Sequence, residues 1–317
     1  MKAPHVTLTW HADFTDMLGG LRLIAASIGP ARSACLLAVD ADDAESPFAR
    51  DEQPGWASFP RSRAERPYKA VAFQHDGTRF TRTELPEVPF AFPFIQILRT
   101  GHILLAGSRC RYTDGRAELN AALYSPEGTL EHRMTLGDGI QDIQAARNGE
   151  LWVSYFDEGV IGNYGWSKPI GASGLVCFGQ DGQVLWNFTP PAGMDSMTDC
   201  YALNVAEDAT WACYYTGFPV VRVSPDRSRQ AWTNPFSGAQ ALAVSRDRVL
   251  LWGGYQEERN RCVVQRLGNG SLTHPRHITL LLPDGEPLST GTIVGRGSIL
   301  HAIVGTCWYQ LDLKELP

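Results

Sequence analysis

"DIQAARNGELWVSYFDEG", residues 142–159, holds two strand-like runs around a tight turn. "DIQAA" and "LWVSYF" are short apolar stretches, and Arg147-Asn148-Gly149-Glu150 between them is turn chemistry. Such runs, bounded by Asn and Gly, read as the two strands of a hairpin. The same reading extends forward. "GLVCFGQDG" (174–182) and "QVLWNFTP" (183–190) supply a third and a fourth strand, again parted at a turn. Four strands thus fall within residues 139–191.

The pattern recurs along the chain. First strands ending in a turn are "FIQILRTG" from Phe94, "ALNVAEDA" from Ala202, "ALAVSRDR" from Ala241 and "TIVGRGS" from Thr292. Each precedes an apolar second strand: "HILLAGSRC" from His102, "TWACYYTGF" from Thr210, "VLLWGGYQE" from Val249 and "ILHAIVGTC" from Ile299. Equivalent positions are about 40 to 60 residues apart, and four strands at that period are the mark of a β-propeller. A further repeat fits "LRLIAAS", "SACLLAVD", "KAVAFQHDG" and "TRFTRTEL".

The expected architecture is therefore all-β, one propeller domain over 1–317. Its blades fall near 20–88, 89–138, 139–191, 192–238, 239–285 and 286–317, with a loop insertion at 41–66. The last repeat is short of a strand at "WYQLDL". The N-terminal segment 5–11, "HVTLTWH", can supply it and so remove an open sheet edge. A seven-bladed propeller or a pair of β-sandwiches is the alternative.

The segments "SYFDEGVIGNYGW" (154–166), "GLVCF" and "DCYALNV…WACYY" resemble uncharacterised bacterial propeller proteins of the six-bladed class. Similarity to gluconolactonase-like propellers is looser. Those hydrolases hold a divalent metal in the central channel with Glu, Asn and Asp, and their ligands find no residue-by-residue match here. The resemblance implies a fold and carries no site residues with it.

Composition narrows the function classes. The chain has 317 residues, 44% of them hydrophobic, and a net charge of −6. It has no basic run of the kind that marks nucleic-acid binding. No stretch approaches the ~18 to 20 apolar residues of a membrane span. "MKAPHVTLTWHADF" has no apolar h-region, so the expected compartment is the cytoplasm. The seven cysteines are scattered and form no Cys-x-x-Cys pair, and they read as reduced, buried thiols.

In a propeller, the start of each first strand and the exit of each second strand share one face. That face is expected to collect Phe92, Gln141, Asp142, Asp199, Cys200, Tyr201, Gln240 and Thr290 from first strands. Second-strand exits add Ser108, Arg109, Asp157, Glu158, Thr216, Tyr255 and Thr306. Long loops at 41–66, 109–118 and 157–173 lie on the same side, and loops on a rigid scaffold carry sites. "DEGVIGNYGW" is expected to cross the channel mouth, with Gly159, Gly162 and Gly165 allowing unusual backbone angles. Asn163, Tyr164 and Trp166 in it either anchor the loop or meet a ligand.

The chemistry rests on four acids, Asp142, Asp157, Glu158 and Asp199. Converging carboxylates could hold Ca²⁺ or Mg²⁺, or share a proton for acid/base work. Their plainer role is to bond backbone amides or pair with Arg109 and Arg111. Those arginines, with Tyr112, could instead clasp a carboxylate or phosphate. Cys200 would be a nucleophile only beside a base, and no histidine falls on the expected face. Trp152, Trp186, Trp211, Trp232 and Trp252 read as core packing between blades.

Two functions follow. One is small-molecule binding at the channel mouth, with a hydrolase- or lyase-type reaction that is metal-assisted in one version. The other is a non-catalytic scaffold that takes a protein partner on that face, with Trp56 and Phe59 in a strap or lid. Neither involves nucleic acid or a membrane.

Overall fold

A computed structural model describes residues 3–52, 54–55 and 57–316. Among the described residues the turn and strand signals resolve into six blade sheets, each with four antiparallel strands, and two short two-stranded ladders, and the chain is an all-β six-bladed propeller. It divides into two compact units, Thr15–Phe188 and Met1–Phe14 with Thr189–Pro317.

Three blades make the first unit. Blade one is Arg22–Ile28, Ala34–Val39, Arg63–His75 and Phe80–Phe90. Blade two is Pro93–Ile97, Ile103–Gly107, Ala121–Tyr124 and Leu130–Met134. Blade three is Ile140–Ala145, Leu151–Tyr155, Leu175–Phe178 and Val184–Asn187. Second strands are buried along their whole length, as in "ILLAG" and "LWVSY". Such continuous apolar runs are what a strand covered on both faces requires. Fourth strands such as Val184–Asn187 are mostly exposed.

The first strands of the three sheets lie against one another. Gln96 locks them. It is buried, donates from Nε2 to Ser27 Oγ (2.9 Å) and accepts the Ala145 N–H on Oε1 (3.0 Å). One amide thus ties three blades, and its polar atoms are satisfied as burial demands.

The second unit repeats the plan. Blade four is Asp199–Val205, Thr210–Tyr215, Val220–Val223 and Arg229–Trp232. Blade five is Ala239–Val244, Arg248–Gly253, Arg261–Leu267 and Leu272–Leu281. Blade six is Thr292–Arg296, Ile299–Val304 and Cys307–Asp312, completed by Thr9–Asp13. Here Asn204 is the buried clamp. Its Nδ2 donates to Leu242 O (2.8 Å) and Gly297 O (2.9 Å), and its Oδ1 accepts the Gly297 N–H (2.8 Å).

The N-terminal segment does close the last blade, but with different residues from those expected. Thr9–Asp13 pairs antiparallel with Cys307–Asp312. His5–Thr7 instead runs parallel to Thr279–Leu281 at the edge of blade five. Leu8, between them, is 1% exposed and packs with Leu280 and Leu311 in one core cluster. The segment therefore protects two sheet edges, not one.

The insertion at 41–66 is also shorter than expected. Its last residues already belong to the strand Arg63–His75, and the rest contains two 3₁₀ turns and a short ladder of Arg50–Asp51 with Phe59–Pro60. Phe59 is 41% exposed, while Trp56 lies outside the described residues. Trp152 meets Trp186 at 5.7 Å, and Trp211 stacks on Trp232 at 5.6 Å, as packing residues within single blades. No helix among the described residues is long and apolar enough to cross a membrane.

Candidate functional site

The predicted residues separate into two groups, one in each unit. In the first unit, Arg109 is the hub. It leaves blade two at the end of "ILLAGSR" and is 3% exposed. Asp138 takes a bidentate pair from it, Nε to Oδ1 at 3.0 Å and Nη2 to Oδ2 at 2.8 Å. Glu158 takes a third bond, from Nη1 at 2.5 Å. Asp138 also accepts the Cys110 N–H at 2.8 Å. Burial pushes the Asp138 carboxyl pKa upward, and the Arg109 guanidinium and backbone N–H groups pull against it.

The loop after the second strand of blade three is built on this ion pair. "DEGVI" forms a short helix, Asp157–Ile161. Tyr164 lies over Arg109, with the guanidinium carbon 4.0 Å from the ring centroid, a cation–π contact. The Tyr164 hydroxyl donates to the Pro60 carbonyl. Its backbone carbonyl accepts the Tyr112 N–H at 2.9 Å. Trp166 is buried and donates from Nε1 to the Cys110 carbonyl at 2.7 Å. The loop therefore leans on the loops of blades one and two. Tyr164 and Trp166 act as anchors, and Asn163 bonds the Tyr164 N–H through Oδ1 at 2.7 Å.

Gly162 and Gly165 have positive φ, 112° and 90°, as expected. Gly159 is required for a different reason. A Cβ there would sit 2.4 Å from the Asp138 carbonyl oxygen, so the glycine permits contact of two backbones. Arg111 donates its N–H to Glu118 Oε2 (2.9 Å) and reaches Asp51 at 3.4 Å.

The four acids take separate roles. Asp142 accepts the Ile143 N–H (2.8 Å) and the Gln144 amide (3.1 Å), and Gln141 beside it is exposed. Asp157 accepts the Glu158 N–H at 2.7 Å. Glu158 bonds Arg109. Asp199 opens blade four in the other unit. Among the described residues, no group of three or more His, Cys, Asp or Glu side chains could hold a metal ion.

The second unit holds an aromatic cluster and a cavity. Tyr201 lies edge-on to Phe218 at 5.3 Å and to Tyr255 at 6.0 Å. The Tyr255 hydroxyl donates to the Tyr201 hydroxyl at 2.8 Å. Burial raises the Tyr255 pKa, followed by the Tyr201 contact and then the Asp199 charge, so Tyr255 stays a protonated donor. The Tyr201 hydroxyl accepts that bond and keeps its own proton to donate.

Tyr255 also borders a cavity of about 510 Å³ with Gln240, Trp252, Asn260, Ser289 and Thr290. Gln240 and Thr290 come from the starts of first strands and Tyr255 from a second-strand exit, as the repeat pattern requires. Two lining residues carry unsatisfied polar atoms. Trp252 Nε1 and Asn260 Oδ1 are buried with no hydrogen-bond partner among the described residues. Such an atom costs about 1–3 kcal/mol. Trp252 packs in a core cluster, as expected, with its Nε1 left without a partner among the described residues, and Asn260 and Ser289 escaped the sequence reading. The only signal for them is their place beside strand ends.

Cys200 is fully buried, with its sulfur 3.8 Å from the Ala202 carbonyl oxygen, and no ligand touches it without rearrangement. No disulfide forms among the described residues, and six of the seven cysteines are buried. Burial pushes the thiols of Cys110 and Cys213 up to about 12.

Comparison with known proteins adds the following. No curated protein matches the chain in sequence. A gluconolactonase from Xanthomonas campestris is similar in structure, with 14% identity, coverage of 98% of this chain and 96% of that one, and a TM-score of 0.47. A catalytically inactive virginiamycin B lyase from Staphylococcus aureus, solved with quinupristin, shows 9% identity, coverage of 96% and 98%, and a TM-score of 0.43. A streptogramin B lyase shows 12% identity, coverage of 92% and 93%, and a TM-score of 0.46. Residues 172–311 match the YxzG family.

Proposed function

We propose that the cavity bordered by Gln240, Trp252 and Tyr255 binds a small, neutral, hydroxyl-rich molecule. One observation carries this reading. A buried donor, Trp252 Nε1, and a buried acceptor, Asn260 Oδ1, both lack partners and both belong to residues lining one polar cavity. Both atoms are covered, so a small shift of the cavity wall must bring them to a ligand; one with paired hydroxyl groups donates and accepts at once and then matches that demand. The Tyr255 ring, 45% exposed, offers an apolar face for the carbon side of such a molecule. Gln240, Gln256, Ser289 and Thr290 add neutral polar groups, and Arg259, whose Nε donates to the Gln256 carbonyl at 3.0 Å, brings the one charged side chain of the described lining. A concave lining with several placed polar groups suits a polar small molecule.

A hydrolase- or lyase-type step there would draw on Asp199, whose charge reaches Tyr255. Asp142, Asp157 and Glu158 belong to the other unit, where Asp142 bonds within its own strand and Glu158 bonds Arg109.

The test is isothermal titration with a panel of neutral monosaccharides and polyols. At least one should bind, and Tyr255→Ala or Gln240→Ala should weaken it about tenfold or more, the worth of one lost hydrogen bond or ring contact. Melting temperatures should change little, because Tyr255 and Gln240 are exposed. Binding that is indifferent to both substitutions would sink the reading.

A further inference from the structure

The first unit has a second concavity, and its chemistry is of another kind. A groove of about 380 Å³ is lined by Arg63, Arg111, Arg116 and Arg133, with Glu118 and Asn120 among the other residues. Arg63 opens the third strand of blade one. Arg111 and Arg116 flank the short hairpin of blade two, Tyr112–Thr113 with Arg116–Ala117. Arg133 lies on the outer strand of blade two, Leu130–Met134. Three separate segments thus bring four arginines to the lining of one hollow.

The charge in the hollow is unbalanced. Glu118 is the one carboxylate in the lining, so four positive charges meet one negative. Both Glu118 oxygens are already engaged. Oε1 accepts from Arg63 Nε at 3.2 Å, and Oε2 accepts the Arg111 N–H at 2.9 Å. Arg111 also reaches Asp51, at 3.4 Å. Arg116 and Arg133 have no carboxylate within ion-pair distance among the described residues. Asn120 is buried and fully used. Its Nδ2 donates to the carbonyls of Gly107 and Gly137, and its Oδ1 accepts the Leu136 N–H.

Like charges gathered in a concave surface repel one another, and the field between them concentrates anions. An arginine on an open, solvated face gains nothing from such company. The chain as a whole is acidic, with a net charge of −6, and with Asp51 set against Arg111 the four arginines still leave a local surplus of two positive charges.

We propose that this groove binds the phosphoryl group of a small molecule. The planar fork of each guanidinium donates two parallel bonds to phosphate oxygens. A phosphoryl dianion offers three oxygens to several forks, where a carboxylate offers two. Its charge also answers a surplus of two better than a single negative charge does. The site is separate in residues and in unit from the neutral cavity above.

The experiment is isothermal titration of the full chain in a non-phosphate buffer at low salt. The probes are inorganic phosphate, glycerol 3-phosphate and acetate. Saturable one-to-one binding of a phosphoryl probe is expected, falling at least tenfold in the double variant Arg116→Gln, Arg133→Gln. Both arginines are exposed, and an unchanged circular dichroism spectrum will show that the variant is folded. Tighter binding of glycerol 3-phosphate than of phosphate assigns the site to a phosphorylated small molecule; the reverse order assigns it to free phosphate. Tyr255→Ala should leave phosphoryl binding intact, which separates this site from the neutral one. No saturable binding, equal binding of acetate, or an undiminished affinity in the double variant would each overturn the proposal.

Discussion

Arg109→Ala is expected to cost about 3–5 kcal/mol of stability, the usual loss when one partner of a buried ion pair is removed. The substitution strands Asp138, whose side chain has no exposure, with only backbone N–H groups to hold its charge. It also removes the floor under Tyr164 and the bond to Glu158. Urea denaturation of the purified variant measures the loss. The double variant Arg109→Met, Asp138→Leu should recover much of it, because an apolar pair of similar volume removes both desolvation costs. Hydrogen exchange in the single variant should rise across 157–166, where Asp138, Tyr112 and Cys110 now hold the backbone and Trp166. A single variant as stable as the wild type would mean that the pair carries no structural load.

Gly295→Ala is expected to cost about 3 kcal/mol or more, at the upper end of what overpacking does. Gly295 lies in the first strand of blade six, Thr292–Arg296. An added Cβ would meet the Leu242 carbonyl oxygen at 1.7 Å and Asn204 Nδ2 at 3.0 Å. The first obstacle is backbone, which has no rotamer to escape into. The second is the amide that clamps the inner strands of its unit. The overlap therefore breaks packing and the Asn204 hydrogen bonds together. Thermal unfolding followed by circular dichroism checks the effect, and a shift of less than a degree would show that the inner strands can part at no cost.

Much of the fold is legible in the sequence because its signals are local. "RNGE", "QDGQ" and "SPEG" mark turns, and "LWVSY" or "ILLAG" marks a strand covered on both faces. Each hairpin is decided within about a dozen residues, so the repeat can be read without knowing which blade meets which. The N-terminal strand is the instructive exception. "HVTLTWH" reads as one strand, yet Leu8 divides it between two sheets, and only the packing of Leu8 with Leu280 and Leu311 decides where it divides.

The candidate sites were legible in part, and the reason is again locality. Gln240, Thr290 and Tyr255 follow from strand ends, a property of the repeat. Asp138 does not. It is an acid between Gly137 and Gly139, with nothing local to name Arg109 as its partner across 29 residues of chain. The partners of the acids in the first unit were hidden for the same reason. Loop 157–166 leans on the loops of blades one and two, and Glu158 is spent on Arg109. Trp252 was read as packing because its indole sits in a strand pattern like its neighbours. Only its unpartnered Nε1 distinguishes it from Trp152 or Trp211.

The central claim, a neutral ligand in the cavity of Gln240, Trp252 and Tyr255, is tested most directly at Trp252 itself. The nine tryptophans can be labelled with 5-fluorotryptophan, and Trp252→Phe identifies the Trp252 fluorine resonance. Titration of the monosaccharide and polyol panel should shift that resonance in a saturable way, and Tyr255→Ala should abolish the shift. A panel that binds while the Trp252 resonance stays still, or that leaves every resonance unmoved, would contradict the account.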